Sequence, residues 1–318
     1  MKKILTLLLA LWMLTGCVAM AAGNQLVVGS TTAMSGAFFT DLFGSNTADI
    51  DVRALLHGYN LMSWDHETGT YQINDSVVAG MAVSRDAQNN RVYTFDLYGD
   101  LKFSDGSAIT AKDYAFSILL TASPELAKLG GQSAAVGAIL GMDAYQSGKS
   151  SVLRGVRLLS DTQMSITISK AYEPYFYEMA LFDYSPYPIS VLAPGCKVVD
   201  TEKGVGIVNA GGTGAAIFTA GLLQKTILDA ATGYMSHPSV VSGPYTLTRY
   251  DAQSGTASFA INPYYKGNEE GEKPTIETIV YRSVANDEAI DLLLSGEVDL
   301  LNTVSYTHLR AHETLMNL

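Results

Sequence analysis

Between residues 92 and 97 the chain alternates, with apolar Tyr93, Phe95 and Leu97 interleaved by polar Thr94 and Asp96. A period of two puts one set on each face of a pleat, which predicts a half-buried strand. Asp105-Gly106 then predicts a tight turn. Thr110 and Asp113 stand three apart ahead of apolar Phe116, Leu119 and Leu120. That spacing predicts a helix capped by Thr110. Asp113 takes the reciprocal capping position, near the positive end of the helix dipole. Upstream, residues 24–32 predict a strand through Leu26, Val27 and Val28. Residues 52–65 predict a short helix running into a turn, with Leu55, Leu56 and Tyr59 at helical spacing around Gly58.

The second half repeats the alternation of strand and helix. Gly243-Pro244 opens a strand in which Tyr245 and Leu247 share a face. Asn286 stands where it can cap a helix whose Ile290, Leu293 and Leu294 form one apolar side, and Gly296 closes that helix. Strands alternating with helices predict an α/β sheet covered by helices. The glycine-rich run 209–228 is different. Glycines ahead of a helix can cradle phosphate, but no Gly-Lys-Ser/Thr follows and no strand pattern clearly precedes. It predicts a flexible loop entering an amphipathic helix built on Leu222, Leu223, Ile227 and Leu228.

The two ends follow other rules. Lys2 and Lys3 precede an unbroken apolar run from 4 to 14. Spanning a bilayer takes about 20 residues, so this run predicts a signal-peptide core. Leu14-Thr15-Gly16-Cys17 comes next and resembles the bacterial lipobox, in which the cysteine is lipidated and becomes the new N-terminus. The alternative is a plain secretory signal cut at Ala19-Met20-Ala21. At the other end, His308 and His312 lie four apart, as metal ligands on a helix would. Zinc wants a third protein ligand, and His57, His66 and His237 are scattered. Ser305 to Thr314 back-translates in a single frame to a sequence resembling the transposase adapter of sequencing libraries. Residues 304–318 are therefore expected to be translated adapter, with no metal site and no cofactor.

Composition narrows the classes. The chain has 318 residues, 47% apolar, and a net charge of -11. Setting aside Lys2, Lys3, Arg310 and Glu313 leaves 17 basic against 30 acidic residues, so the acidity belongs to the body of the chain. Phosphate contacts need Lys and Arg, which argues against a nucleic-acid partner. Cys196 is the one cysteine besides Cys17, so no disulfide framework forms once Cys17 is lipidated. A serine hydrolase would want a Gly-x-Ser-x-Gly elbow, and the chain has none. Aspartates are abundant, but abundance is not a paired acid and base, so no enzyme is expected.

Three blocks, in order, resemble the family 5 extracellular solute-binding proteins, the oligopeptide and dipeptide receptors of ABC importers. They are "LKFSDGSAITAKDYAFS", the stretch 242–267 with Gly-Pro-Tyr and Asn-Pro-x-Tyr, and 276–301 ending in Gly-Glu-Val-Asp. The resemblance implies a periplasmic-binding-protein-like fold of type 2, in which two lobes close on a small ligand. It further implies a first lobe over 25–303 with a smaller α/β insertion at about 56–156. A signal peptide over 1–16 and a lipidated linker over 17–24 precede it, and a second lobe is missing. The implied partners are a peptide ligand, bound through its backbone, an ABC permease, and the membrane surface through lipid on Cys17. The implied protein is an extracytoplasmic monomer; the alternative roles are a peptide or small-solute sensor with the same lobes and, ranked below it, an extracytoplasmic hydrolase. The loop 30–39 occupies the place where the family's first lobe meets ligand, which makes Ser30, Thr31, Thr32, Met34, Ser35, Phe38 and Phe39 candidate contacts. Tyr184 and Tyr187, set among prolines, are further candidates.

Overall fold

The computed structural model describes residues 24–132 and 137–302. Cys17, His308 and His312 lie outside them. In chain order the strands are β1 (Gln25–Ser30), β2 (Met62–Asp65), β3 (Thr70–Ile73), β4 (Val78–Arg85), β5 (Arg91–Leu97), β6 (Val152–Leu153) and β7 (Val156–Leu158). They continue with β8 (Gln163–Ile168), β9 (Cys196–Thr201), β10 (Gly204–Asn209), β11 (Tyr245–Asp251), β12 (Thr256–Ile261), β13 (Thr278–Ser283) and β14 (Leu300–Asn302). The longer helices are α1 (Thr47–Leu56), α2 (Ala111–Thr121), α3 (Ala220–Thr226) and α4 (Ala289–Ser295).

Two hydrophobic cores organise these elements. The first lies under a five-stranded sheet in the order β11-β12-β13-β1-β14. β1 runs parallel to both β13 and β14, while β11, β12 and β13 are antiparallel. Val52 and Leu56 of α1 pack with Val28, Phe259, Ile279 and Tyr281 of this sheet. The second core serves an antiparallel sheet β4-β5-β8-β7, a smaller sheet β6-β10-β9 and the hairpin β2-β3. α2 is buried almost all round within it. The alternation read from the sequence holds here, since Tyr93, Phe95 and Leu97 are buried and Asp96 is exposed. So does the cap: the Thr110 N–H donates to the Asp113 carboxylate at 2.8 Å.

The chain leaves the first core at Leu56 and comes back at Val241, and the two crossings run side by side. The Gly243 N–H donates to the Leu56 carbonyl at 2.8 Å. Ser242 Oγ accepts from the Gly58 N–H at 3.1 Å and donates to the Gly58 carbonyl at 3.0 Å. A side chain at 243 would put its Cβ 2.5 Å from the backbone carbon of Leu56. The glycine of the Gly-Pro-Tyr motif is thus required by a neighbouring backbone. The second core extends to Tyr234, and residue 156, the expected end of the insertion, falls on β7, where Val156 pairs with Ile166 of β8.

Three local expectations are corrected. The helix expected at 52–65 is α1, which begins nearer the N-terminus behind a capping box of Asn46 and Asp49 and ends at Leu56. Tyr59 takes a left-handed φ of 58°, held by a 2.7 Å hydrogen bond from the Tyr114 hydroxyl to its carbonyl. Asn286 belongs to a turn, and α4 starts at Ala289 with no side-chain cap. Its expected core face is exposed: Ile290 38%, Leu293 39% and Leu294 80%, with Ala289 its one buried residue. Gly296 does close α4, at φ 76°. The glycine-rich run is preceded by a strand after all, β10, because its pairing with β9 is set by the turn at 202–203 and not by an apolar alternation.

Candidate functional site

Parallel strands place their carboxyl ends on one edge of a sheet, and ligands of open α/β sheets bind in the crevice outside that edge. Here Ser283, Ser30 and Asn302 end β13, β1 and β14 as one row, since Ser30 pairs with both of the others. Behind the row the Tyr281 hydroxyl donates to Asp51 Oδ2 at 2.8 Å, and Asn302 Nδ2 donates to the same carboxylate and, at 2.8 Å, to the Tyr281 oxygen. Burial, reinforced by the Asp51 charge, pushes the Tyr281 phenol up to about 12. Ser283 Oγ is buried beside this group with no hydrogen-bond partner among the described residues.

The loop 31–44 leaves this row and is pinned by one carboxylate. Asp49 of α1, 0% exposed, accepts from the Ser35 N–H at 2.9 Å, Ser35 Oγ at 2.6 Å, the Gly36 N–H at 3.2 Å and the Asn46 N–H at 3.2 Å. Gly36 turns the loop at φ 86°, where a Cβ would come within 3.3 Å of both Ser236 and Tyr250. Two cavities adjoin Ser35. One of about 460 Å3 runs past Ser236, His237, Arg249 and Asp251, at the end of β11. The other, of about 250 Å3, lies between Gly36, Phe43 and Asp229. Arg249 and Asp251 face each other at 3.5 Å and are both within reach of solvent.

The residues singled out from the sequence divide. Thr31 and Thr32 are half-buried and Ser35 exposed. Ser30 is buried and spends its hydroxyl on the Thr32 carbonyl at 3.0 Å. Met34 and Phe38 turn into the first core and Phe39 into the second. The aromatic pair Tyr184 and Tyr187 is brought to the same loop, since Tyr187 packs on Phe39 with ring centroids 4.7 Å apart. Both tyrosines line a cavity of about 280 Å3 with Asp41 and Asp183. Between the cores His57 donates from Nε2 to the Phe38 carbonyl at 3.0 Å. Burial lowers its imidazole to about 4, so it is neutral at pH 7. Asp49 and Asp51 were not legible as site residues. The signal available for Asp49 was Asn46-x-x-Asp49, a capping box written with Asn and Asp in place of the commoner Ser/Thr and Glu.

Among the described residues no group of three or more His, Cys, Asp or Glu side chains could hold a metal ion, and no helix is long and apolar enough to cross a membrane. Among the described residues no paired acid and base stands at the row of strand ends. The arrangement offers a crevice at the strand ends, a loop pinned by Asp49 with Thr31, Thr32 and Ser35 at least partly open to solvent, and adjoining pockets, which is the equipment of a binding surface.

Comparison with known proteins gives a consistent result. Residues 76–318 match the family model described as bacterial extracellular solute-binding proteins, family 5 Middle. The periplasmic oligopeptide-binding protein OppA of Escherichia coli K12 is 33% identical over 111 residues, covering 34% of this chain and 20% of that protein. The oligopeptide-binding protein OppA of Lactococcus lactis subsp. lactis IL1403 is 26% identical over 228 residues, 70% of this chain and 32% of its own length. Among solved structures, lactococcal OppA, complexed with an endogenous peptide in the closed conformation, superposes with a TM-score of 0.64 at 19% identity, over 93% of this chain and 48% of that one. Listeria monocytogenes OppA bound to peptide gives 0.60 at 18% identity, over 87% and 46%. The fold is therefore that of the OppA-type binding proteins. This chain spans about a third or less of these curated relatives and about half of these solved chains.

Proposed function

The chain belongs to the bacterial extracellular solute-binding proteins, family 5, and on that premise we propose that it is the substrate-binding component of an ABC importer that captures peptides outside the cytoplasm. The observation that carries this reading is the row Ser283–Ser30–Asn302 with its pinned loop, a binding edge with no catalytic pair. Relatives whose names specify oligopeptides or dipeptides support the ligand class. Thr31, Thr32 and Ser35 are the loop residues open to a ligand backbone, and Tyr184 and Tyr187 stand beside it. Lipid on Cys17 would hold the receptor at the membrane beside its permease, where a diacylated anchor suffices without a spanning helix. Ligand would be enclosed between this surface and a facing lobe, as in a receptor of which this chain spans about half the length of the solved chains it resembles.

The described edge meets a ligand from one side, so peptides are expected to bind the 318-residue chain in the millimolar range, on the order of 4 kcal/mol. Calorimetric titration with di- to pentapeptides, set against free sugars and nickel-histidine, tests the reading. Saturable heat with peptides alone supports it. Selective binding of sugar or chelate, or cleavage of the peptides during the titration, overturns it.

A further inference from the structure

An open sheet has two edges, and a free edge is a template for another strand unless something blunts it. In the sheet β4-β5-β8-β7 the edges are β4 and β7. β7 is closed: the Leu158 N–H donates to Asp200 Oδ2 at 3.0 Å, and the same carboxylate holds Arg157 at 2.9 Å. In the five-stranded sheet, β11 carries Arg249 and Asp251 and shifts register after Leu247, and β14 is three residues long. β4 lacks these protections over most of its length. Val78 to Ser84 holds no charge and no proline, and its bulge lies at one end, between Val78 and Gly80.

The ladder shows which groups are free. Hydrogen-bonded and non-bonded pairs alternate along an antiparallel ladder. The Asp86 N–H donates to the Asn90 carbonyl at 3.1 Å. Counting back through the register, Ser84–Val92, Ala82–Thr94 and Gly80–Asp96 are then the bonded pairs. Met81 and Val83 therefore turn their N–H and C=O groups away from β5, and no hydrogen bond reaches them there among the described residues. Their side chains stand opposite Phe95 and Tyr93, on the face that meets the second core. Yet Val83 is 52% exposed. The apolar face runs out past its cover at the place where the backbone is unpaired.

One further strand would meet both needs, and the sequence of β4 decides whose. A two-fold axis through Ala82 sets Met81 of one copy against Val83 of the other, twice over, so the outward groups of each copy answer those of its mate. On the opposite face Ala82 meets Ala82 and Gly80 meets Ser84. Arg85 falls opposite Ala79 and Asp86 opposite Val78, so no like charges are opposed. Because β7 is closed, β4 has no far edge to pair with, and the assembly stops at two.

We propose that β4 is a self-docking edge: a second copy of this chain pairs antiparallel with it about Ala82, joins two four-stranded sheets into one and covers Val83. The dimer is independent of the peptide reading, and it stands in place of the monomer that the family resemblance implies.

Sedimentation velocity of the 318-residue chain from about 10 µM to 1 mM spans the affinities of a small interface. A concentration-dependent species of twice the chain's mass is expected. Ala82 is exposed, so its variants should fold as the parent does, checked by circular dichroism. Ala82→Lys sets two like charges directly opposite and should weaken the dimer about two- to fivefold. Ala82→Glu alone should do the same, and an equimolar mixture of the two variants should recover at least the parent affinity. Crosslinking reads the register. Ala82→Cys should join copies under mild oxidation, since directly opposed strand residues lie within disulfide reach. Ser84→Cys should not rise above the parent, which has Cys17 and Cys196. A chain that stays monomeric across the range overturns the proposal and leaves the edge to a strand of another protein. Open-ended oligomers in place of a dimer overturn it too, as do a mixture that fails to recover and equal crosslinking at 82 and 84.

Discussion

Replacing Asp49 by alanine tests whether one carboxylate holds the candidate site in shape. The side chain accepts three backbone N–H groups, from Ser35, Gly36 and Asn46, and the Ser35 hydroxyl. Its removal leaves the Gly36 N–H in a buried place without a partner, a cost of about 1–3 kcal/mol. The Ser35 and Asn46 donors are partly reached by water and add about 1 kcal/mol each, part of it as a lost helix cap. The sum is about 3–5 kcal/mol, a large fraction of the roughly 5–15 kcal/mol that stabilises an ordinary domain. Urea unfolding measures the total. Hydrogen exchange locates it, because a local opening made easier by about 3 kcal/mol speeds exchange roughly 100-fold. The amides of Ser35 and Gly36 should show that acceleration, and those of β5 and β8 should show far less. Asp49→Asn keeps the shape and one acceptor oxygen and should lose about 1–2 kcal/mol. A parent-like urea midpoint for Asp49→Ala, with unchanged exchange at Ser35 and Gly36, would refute the idea that this carboxylate organises the loop.

Glycine at 243 should be irreplaceable: Gly243→Ala drives a Cβ to within 2.8 Å of three backbone atoms at 55–57 and is expected to cost about 3 kcal/mol or more in urea unfolding. Gly211→Ala, where a Cβ meets nothing within 4 Å, should stay within about 0.5 kcal/mol. Two buried groups oppose each other in acid. His57, lowered to about 4 by burial, contributes stability that is complete above its unfolded value of 6.5 and is lost as pH falls toward 4. Asp113, raised by burial from 3.8 to about 6, does the reverse, since the folded chain holds the extra proton and stability falls as pH rises through that window. Asp113→Asn should therefore give a steeper rise of stability between pH 4 and 6 than the parent shows, measured as urea midpoints across pH. An unchanged slope would mean that Asp113 is not buried as a titrating acid.

Local pattern carried the parts of this molecule whose causes are local. The β5 alternation, the Asp105-Gly106 turn, the Thr110–Asp113 cap and the Gly296 stop each depend on a few adjacent residues, and each stands where the sequence puts it. The extent of α1 was misjudged because Leu55, Leu56 and Tyr59 satisfy a helical period. What ends the helix is distant: Tyr114 holds the Tyr59 carbonyl, and Tyr265 stacks on the Tyr59 ring at 5.1 Å. Met34, Phe38 and Phe39 look like pocket residues in a polar loop, yet the two cores on either side of that loop take them in. Asp49 and Asp51 were invisible as site residues because their partners at Ser35, Tyr281 and Asn302 are brought to them by the fold. The family resemblance singles out the loop as a candidate, but the supports of that loop are not readable from the sequence.

The position of β1 also sets a schedule. Gln25 pairs with Thr278 and Val28 with Leu300, so both flanks of the first strand are supplied by the end of the described chain. At about 5–20 residues per second of synthesis, roughly 250 residues take on the order of 10–50 s. The strands and helices from Met62 to Tyr234 can collapse on their own core during that interval, while β1 has nothing to pair with. A chaperone or export factor that keeps this protein loose therefore has a defined interval in which to act, during which the first described strand waits for partners made some 250 residues later.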